Sequence, residues 1–456
     1  GSLTLNNSGT LTKSAGSGTF TLSAVTLNNS GTVDVQSGRL FVSGGTMTDT
    51  GTIQVGQGGA WELGGGSYTL DSSLSKVSGT GLVQVSGGTL TVNSEALVSD
   101  ASLTVAGSGN LVVEGAARFN GTFTQSGGTL AGSGSLTLAG TGSRWTQGTM
   151  TGGGTTRIAA GADLTLTGND YVRQVLGNRT LENDGTLIQT VTNTYLAWVE
   201  LDGVAVLNNR GTIDLRGDYA WQNYFSPAGS LTLNNSGTLT KSAGSGTFTL
   251  SAVTLNNSIG ATVDVQSGTL AYGSDLAHNQ GTLNVAPGAL LSVAGSFSNA
   301  AEGTLRVGLA NATSTGRMAI TGTANLGGTF AIYLTGGFTP ASDAVFNLVS
   351  YANQAGAFSV LRGESAGFWV DFGVDTASDP KALKVRNIHV TTQVPGVDLT
   401  ATGLGLAAGS VLQSGNAVTV EWNDANGGTV ATTGSWTDRL LVRNTSTNEV
   451  LVDRLL

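Results

Sequence analysis

Apolar and polar positions alternate along most of the chain, in short bursts. Thr10-Leu11-Thr12, Thr32-Val33-Asp34-Val35 and Thr89-Leu90-Thr91-Val92 are representative. A period of two predicts strands with one buried face, Leu, Val and Ile inward and Thr, Ser, Asp and Gln outward. Many bursts follow a corner phrase, Asn-x-Gly-Thr-apolar. It stands at 7–11, 29–33, 183–187, 209–213, 235–239 and 279–283, with close variants at 49–53 and 302–305. The corner glycines fall at 9, 31 and 51, at 185, 211 and 237, and at 260, 281 and 303, a spacing of 20–26 residues. Glycine is expected to supply a positive φ there, and asparagine to bond locally.

A period of this length, holding two or three short strands, predicts one coil of a parallel β-helix per repeat. One coil cannot bury its own apolar side, so coils must stack. Asparagines at equivalent corners are then expected to form amide ladders up the stack. Right-handed coiling is the expectation for parallel crossovers. A string of β-sandwiches would need hairpin turns and longer strands, which the single-coil period does not offer.

A longer repeat overlies the short one. Residues 1–30 recur unchanged at 229–258, and after a two-residue insertion 32–38 reappear as 262–268. Such identity implies a recent or homogenised duplication with a unit of about 228 residues. Giant surface proteins grow in this way. The chain starts and stops inside strand-like patterns, which reads as a piece of something longer. If the period runs upstream, a segment like 221–228 is expected before residue 1.

The pattern changes past residue 303. Strands lengthen and Phe330, Ile332, Phe338, Phe346 and Phe358 bring bulk, as a cap over an open solenoid end requires. The phrases at 320–330, 337–340 and 346–359 resemble the C-terminal end of passenger-like β-helices in large bacterial exoproteins. Residues 398–400, 414–422 and 433–439 resemble the cell-adhesion-related immunoglobulin-like domain of bacterial surface proteins. That resemblance spans 396–456, fewer residues than a ~100-residue sandwich needs. Trp422 and Trp436 are expected in its core. The fold predicted is therefore all-β. A parallel, right-handed β-helix solenoid covers 1–308, a C-terminal β cap 309–393, and a partial immunoglobulin-like β-sandwich 394–456.

Composition removes several classes of chemistry. Cysteine is absent, which excludes thiolate metal sites, disulfides and cysteine nucleophiles. It also suits export, since no premature disulfide can block an unfolded chain. The net charge of −9, from 20 basic and 29 acidic residues, argues against nucleic-acid and anionic-membrane partners. No apolar run approaches the ~18 residues of a membrane span. The two histidines, His278 and His389, stand alone, without triad or metal-ligand spacing. The calcium-binding β-roll nonapeptide is missing. Outward Thr-x-Thr pairs such as Thr165/Thr167 are too sporadic for an ice-binding face. No catalytic residue, metal site or cofactor is expected.

One region departs from this monotony. Between Asp163 and Phe225 acids and aromatics gather. Alternation through 195–202 puts Val199 and Leu201 inside and Trp198, Glu200 and Asp202 outside. About one coil later, Asp214 points outward, followed by Tyr219 and Trp221. Carboxylates beside exposed rings are what a glycan groove needs, and paired acids can run glycoside hydrolysis. Trp198, Glu200, Asp202, Asp214, Tyr219 and Trp221 are thus the candidate ligand-binding residues. The competing reading packs the aromatics over the solenoid and leaves the acids for solubility.

The function expected is structural, in a bacterial surface or secreted protein. The chain would form an extended rod or fibre for adhesion or matrix assembly, with its own copies or neighbouring repeats as partners. A glycan-binding or polysaccharide-degrading β-helix using the face at 195–221 is the alternative.

Overall fold

The computed structural model describes residues 3–71, 76–93, 97–168, 173–190, 199–365, 369–391, 399–410, 418–426, 432, 436, 438–443 and 450–455. Among them every regular element is a strand. The chain divides into two units, Gly1–Glu364 with Phe372–Ile388, and Ser365–Asp371 with His389–Leu456.

The first unit is a parallel β-solenoid. One turn runs through Val204–Asn209, Thr212–Leu215 and Ala220–Gln222. Each strand pairs in parallel with the strands one turn before and one turn after. Val204–Asn209 lies between Thr180–Asn183 and Ser230–Asn235. Thr212–Leu215 lies between Thr186–Gln189 and Thr238–Lys241. Ala220–Gln222 lies between Val199–Leu201 and Thr247–Leu250. Three ladders result, called here faces one, two and three in that order. The alternating pattern explains the core. Ile213, Leu239, Val263, Leu283, Leu305 and Phe330 pile up inside face two, none more than 1% exposed. Burying each such side chain contributes about 1.5–3 kcal/mol, but only because the neighbouring turns are in place.

The corners work differently from the sequence expectation. Gly31, Gly51, Gly211 and Gly237 are not among the positive-φ residues. They are needed for close approach. A Cβ on Gly211 would lie 2.1 Å from the Gly185 carbonyl oxygen, and one on Gly237 2.2 Å from that of Gly211. Each corner rests directly on the corner below, leaving no room for a side chain. Positive φ is used at one corner glycine as expected, Gly260 (φ 82°), and at another bend, Ala24 and its twin Ala252 (φ 53° and 56°).

The asparagine ladder forms. Asn183, Asn209, Asn235, Asn257, Asn279 and Asn299 are all buried. Each Nδ2 donates to the next Oδ1, at 2.7, 2.7, 2.9, 2.7 and 2.6 Å. Asn299 ends the series on the Gly303 and Gly327 carbonyls at 2.9 and 2.6 Å. An outward ladder beside it points the opposite way. Asn256 donates to Asn234, and Asn234 to Asn208, both at 2.8 Å, and Asn208 to Glu182 at 2.6 Å.

The identical segments do not occupy identical places. Followed rung by rung, the ladder that holds Val199–Leu201 and Ala220–Gln222 on face three leads back to Leu3–Asn7. The twin of that first strand, Ser230–Asn235, stands on face one. The two copies are therefore rotated by one face, a third of a turn.

Parallel rungs continue from Thr304–Leu309 through Thr329–Leu334 to Val360–Glu364. Phe346–Ser350 then pairs antiparallel with Ala382–Thr391. Phe358 and Phe372 lie 5.1 and 6.0 Å from Phe330, ring to ring. The second unit holds two antiparallel pairs, Leu399–Leu406 with Val420–Asn426 and Arg439–Arg443 with Val450–Leu455. Trp422 is half-buried and donates to Asp438 at 2.8 Å. The core expectation fails for Trp436, which is 46% exposed because its indole N–H is held at the surface by Asp424 at 3.1 Å.

Candidate functional site

The five expected residues that are described, Glu200, Asp202, Asp214, Tyr219 and Trp221, are not presented together on one open face. Trp198, with Tyr195, lies outside the described residues. Glu200 and Trp221 stand on face three, whereas Asp214 stands on face two.

Alternation holds at Glu200, since Val199 and Leu201 point into the core on either side. Glu200 nevertheless is only 1% exposed, which corrects its placing on an open face. The reason is the loop after Gln222, whose Phe225 and Ser226 N–H groups donate to the Glu200 carboxylate at 2.6 and 3.0 Å. The loop is closed further by Asn223, which donates to the Pro227 and Gly229 carbonyls at 2.9 and 3.0 Å. The acid is a loop anchor, its charge met by backbone dipoles.

Trp221 is a core residue, 3% exposed and edge-on to Phe248 at 6.1 Å. Its Nε1 donates to Gln189 at 3.1 Å, which allows the indole to be buried. Asp214 points outward but accepts from Arg216 at 2.5 Å and also from the Ser242 hydroxyl. Tyr219 is half-buried. Asp202 is exposed at a corner. The rung neighbours of Glu200 are Val175 and Gln222, and those of Asp214 are Ile188 and Thr240. Neither acid has a carboxylate directly above or below it for glycosidase work.

What the region does expose is a pair of rings from the same loop. Tyr224 and Phe225 are 67% and 54% exposed, edge to face at 4.9 Å. The Arg173 guanidinium lies 4.4 Å over the Phe225 ring.

Two charged groups, Lys241 and Arg179, escaped the sequence reading because they sit where apolar residues were expected. Lys241 is fully buried, and its ammonium donates to Asp218 at 3.0 Å and to the Ala243 carbonyl at 2.8 Å. Alternation through Leu239 already pointed it inward. Arg179 is 2% exposed and donates to Thr156 Oγ1 and the Thr151 carbonyl, both at 2.8 Å. Burial lowers its pKa to about 10. Asp184 bridges Arg157 and Arg210, both at 2.6 Å. Burial pushes the Asp184 carboxyl up, but the two guanidinium groups outweigh it and hold the pKa below the usual range. Among the described residues no group of three or more His, Cys, Asp or Glu could hold a metal ion. No helix of the described chain is long and apolar enough to cross a membrane.

No known family model matches the chain, and no curated protein matches it either.

Proposed function

We propose that this chain is a structural and adhesive segment of a large bacterial surface or secreted protein. Its solenoid serves as an extended rod or fibre at the cell surface or in the extracellular matrix. It associates with further copies or continues into neighbouring repeats of the same protein, and no catalysis is assigned to it. One observation carries the reading. Two of the candidate acids are engaged within the solenoid, Glu200 on its loop and Asp214 on Arg216, and the buried asparagines are engaged on one another. The resemblances at 320–359 and 396–456 supply the surface-protein setting. Negative-stain electron microscopy of the purified chain over a concentration series tests it. Slender particles are expected throughout the series, and round particles would overturn the reading.

Glycan binding is retained as a second reading because Tyr224 and Phe225 present two exposed rings on an anchored loop. Stacking of such rings on sugar faces needs no paired acids. A glycan array separates the readings. A specific signal that disappears with Tyr224→Ala favours glycan binding, and a blank array favours the structural role.

A further inference from the structure

The duplicated segment shows one sequence in two environments. In the second copy Leu231, Leu233, Leu239, Phe248 and Leu250 are at most 2% exposed, because the turn at 203–228 lies against them. In the first copy the matching Leu3 and Phe20 are 64% and 53% exposed. Leu11, Lys13, Ala15, Thr19, Phe20 and Leu40 line an open hollow of about 480 Å³ there.

The contacts that close the second copy are specific. Asn209 donates to Asn235 at 2.7 Å and Asn234 to Asn208 at 2.8 Å, so two amides of the earlier turn match two of the later one. Asp218 takes the Lys241 ammonium at 3.0 Å and the Gly246 N–H at 2.9 Å. Trp221 meets Phe248 edge-on. In the first copy Asn6, Asn7, Lys13, Gly18 and Phe20 occupy the matching positions. Lys13 makes the same corner contacts as Lys241, to the Ala15 and Gly16 carbonyls at 2.7 and 3.0 Å against Ala243 and Gly244 at 2.8 and 3.4 Å, without the aspartate that Asp218 supplies to the second copy.

We infer that the edge formed by 3–22 is a docking surface for a solenoid turn of the 203–228 kind. Such a turn carries paired asparagines at one corner, an aspartate at the next and a tryptophan facing the core. The inference rests on the structural reading above and names the partner of that structure. A second intact copy does not offer this turn, because its own 203–228 is already covered by 229–250. The partner is therefore a like turn carried next to this edge. Paired parallel strands, a continued amide ladder and a buried Lys–Asp contact would join the two without a new fold.

The chain has no cysteine, so a single thiol reports accessibility cleanly. The test uses Phe20→Cys in the full chain, with and without residues 203–228 fused ahead of Gly1. The thiol is expected to react quickly with an aromatic disulfide in the unextended chain. It should react at least about tenfold more slowly in the extended one, as a closed local structure requires. Asp218→Ala with Trp221→Ala, made in the added segment only, should restore the fast rate. An unchanged rate on extension overturns the inference. So does a slow rate in the unextended chain that quickens on dilution, since a second copy would then cover the edge. Phe248→Cys is the reference, with Leu250→Cys as a milder substitute. If these react as fast as urea-unfolded chain, the solenoid itself is at fault and not merely the docking claim.

Discussion

At the scale of the residue, the buried amides show most plainly how the sequence becomes structure. Asparagine fits the inward corner position because its amide donates to one turn and accepts from another, which a single apolar side chain cannot do. Losing one member strands its neighbours. Asn235→Ala leaves the Asn209 donor and the Asn257 acceptor without their amide partners, at about 1–3 kcal/mol per stranded group. Asn7→Ala, in the same local sequence but at the first turn, removes a single amide–amide contact, that to Asn29, and should cost less. Urea unfolding of both variants checks the ordering, and equal losses would contradict it. Asp184 gives a pH dependence. Its folded pKa lies below the ordinary value, so the ion pairs with Arg157 and Arg210 stabilise fully above about pH 4. That contribution is lost as pH falls through the lowered pKa. Arg210→Ala should therefore shrink the drop in urea midpoint between pH 7 and pH 3, and an unchanged drop would remove this network from the explanation.

At the scale of the element, four-residue strands such as Thr262–Val265 are too short to be stable alone, and each is held by the rungs on either side. The corner glycines set how closely rungs approach. Gly237→Ala should destabilise by about 1–3 kcal/mol, since its Cβ would meet the Gly211 carbonyl oxygen. Gly9→Ala, in the identical phrase, meets nothing within 4 Å and has no positive φ, so it should be near neutral. Thermal melts of the two variants decide the matter, and matched losses would mean that the glycines act through backbone freedom instead. Much of this level was legible in the sequence. Period-two alternation placed Val199 and Leu201 inside, and the corner phrase located the asparagine ladder. The role of the corner glycines was not legible, because a clash with the next turn depends on a contact distant along the chain. Glu200 misled for the same reason. Alternation reports which side a residue faces, but not whether a later loop returns to cover that side. Asp214 and Glu200 likewise look close in sequence order, and only the three-sided turn separates them onto different faces.

At the scale of the whole solenoid unit, duplication and rotation matter together. Because the copies sit a third of a turn apart, outward residues repeated in both do not line up on one flat side. That geometry disfavours a ligand read by a repeated face. Stability of such a unit is a sum over turns, each touching only its neighbours. Single-molecule pulling tests this claim most directly, with the full chain held at its two ends. The account predicts a sawtooth in which turns of about 22 residues come away one or a few at a time. Each turn would release roughly 70 Å of chain. Release of the entire solenoid in one event, or extension without measurable resistance, would contradict it.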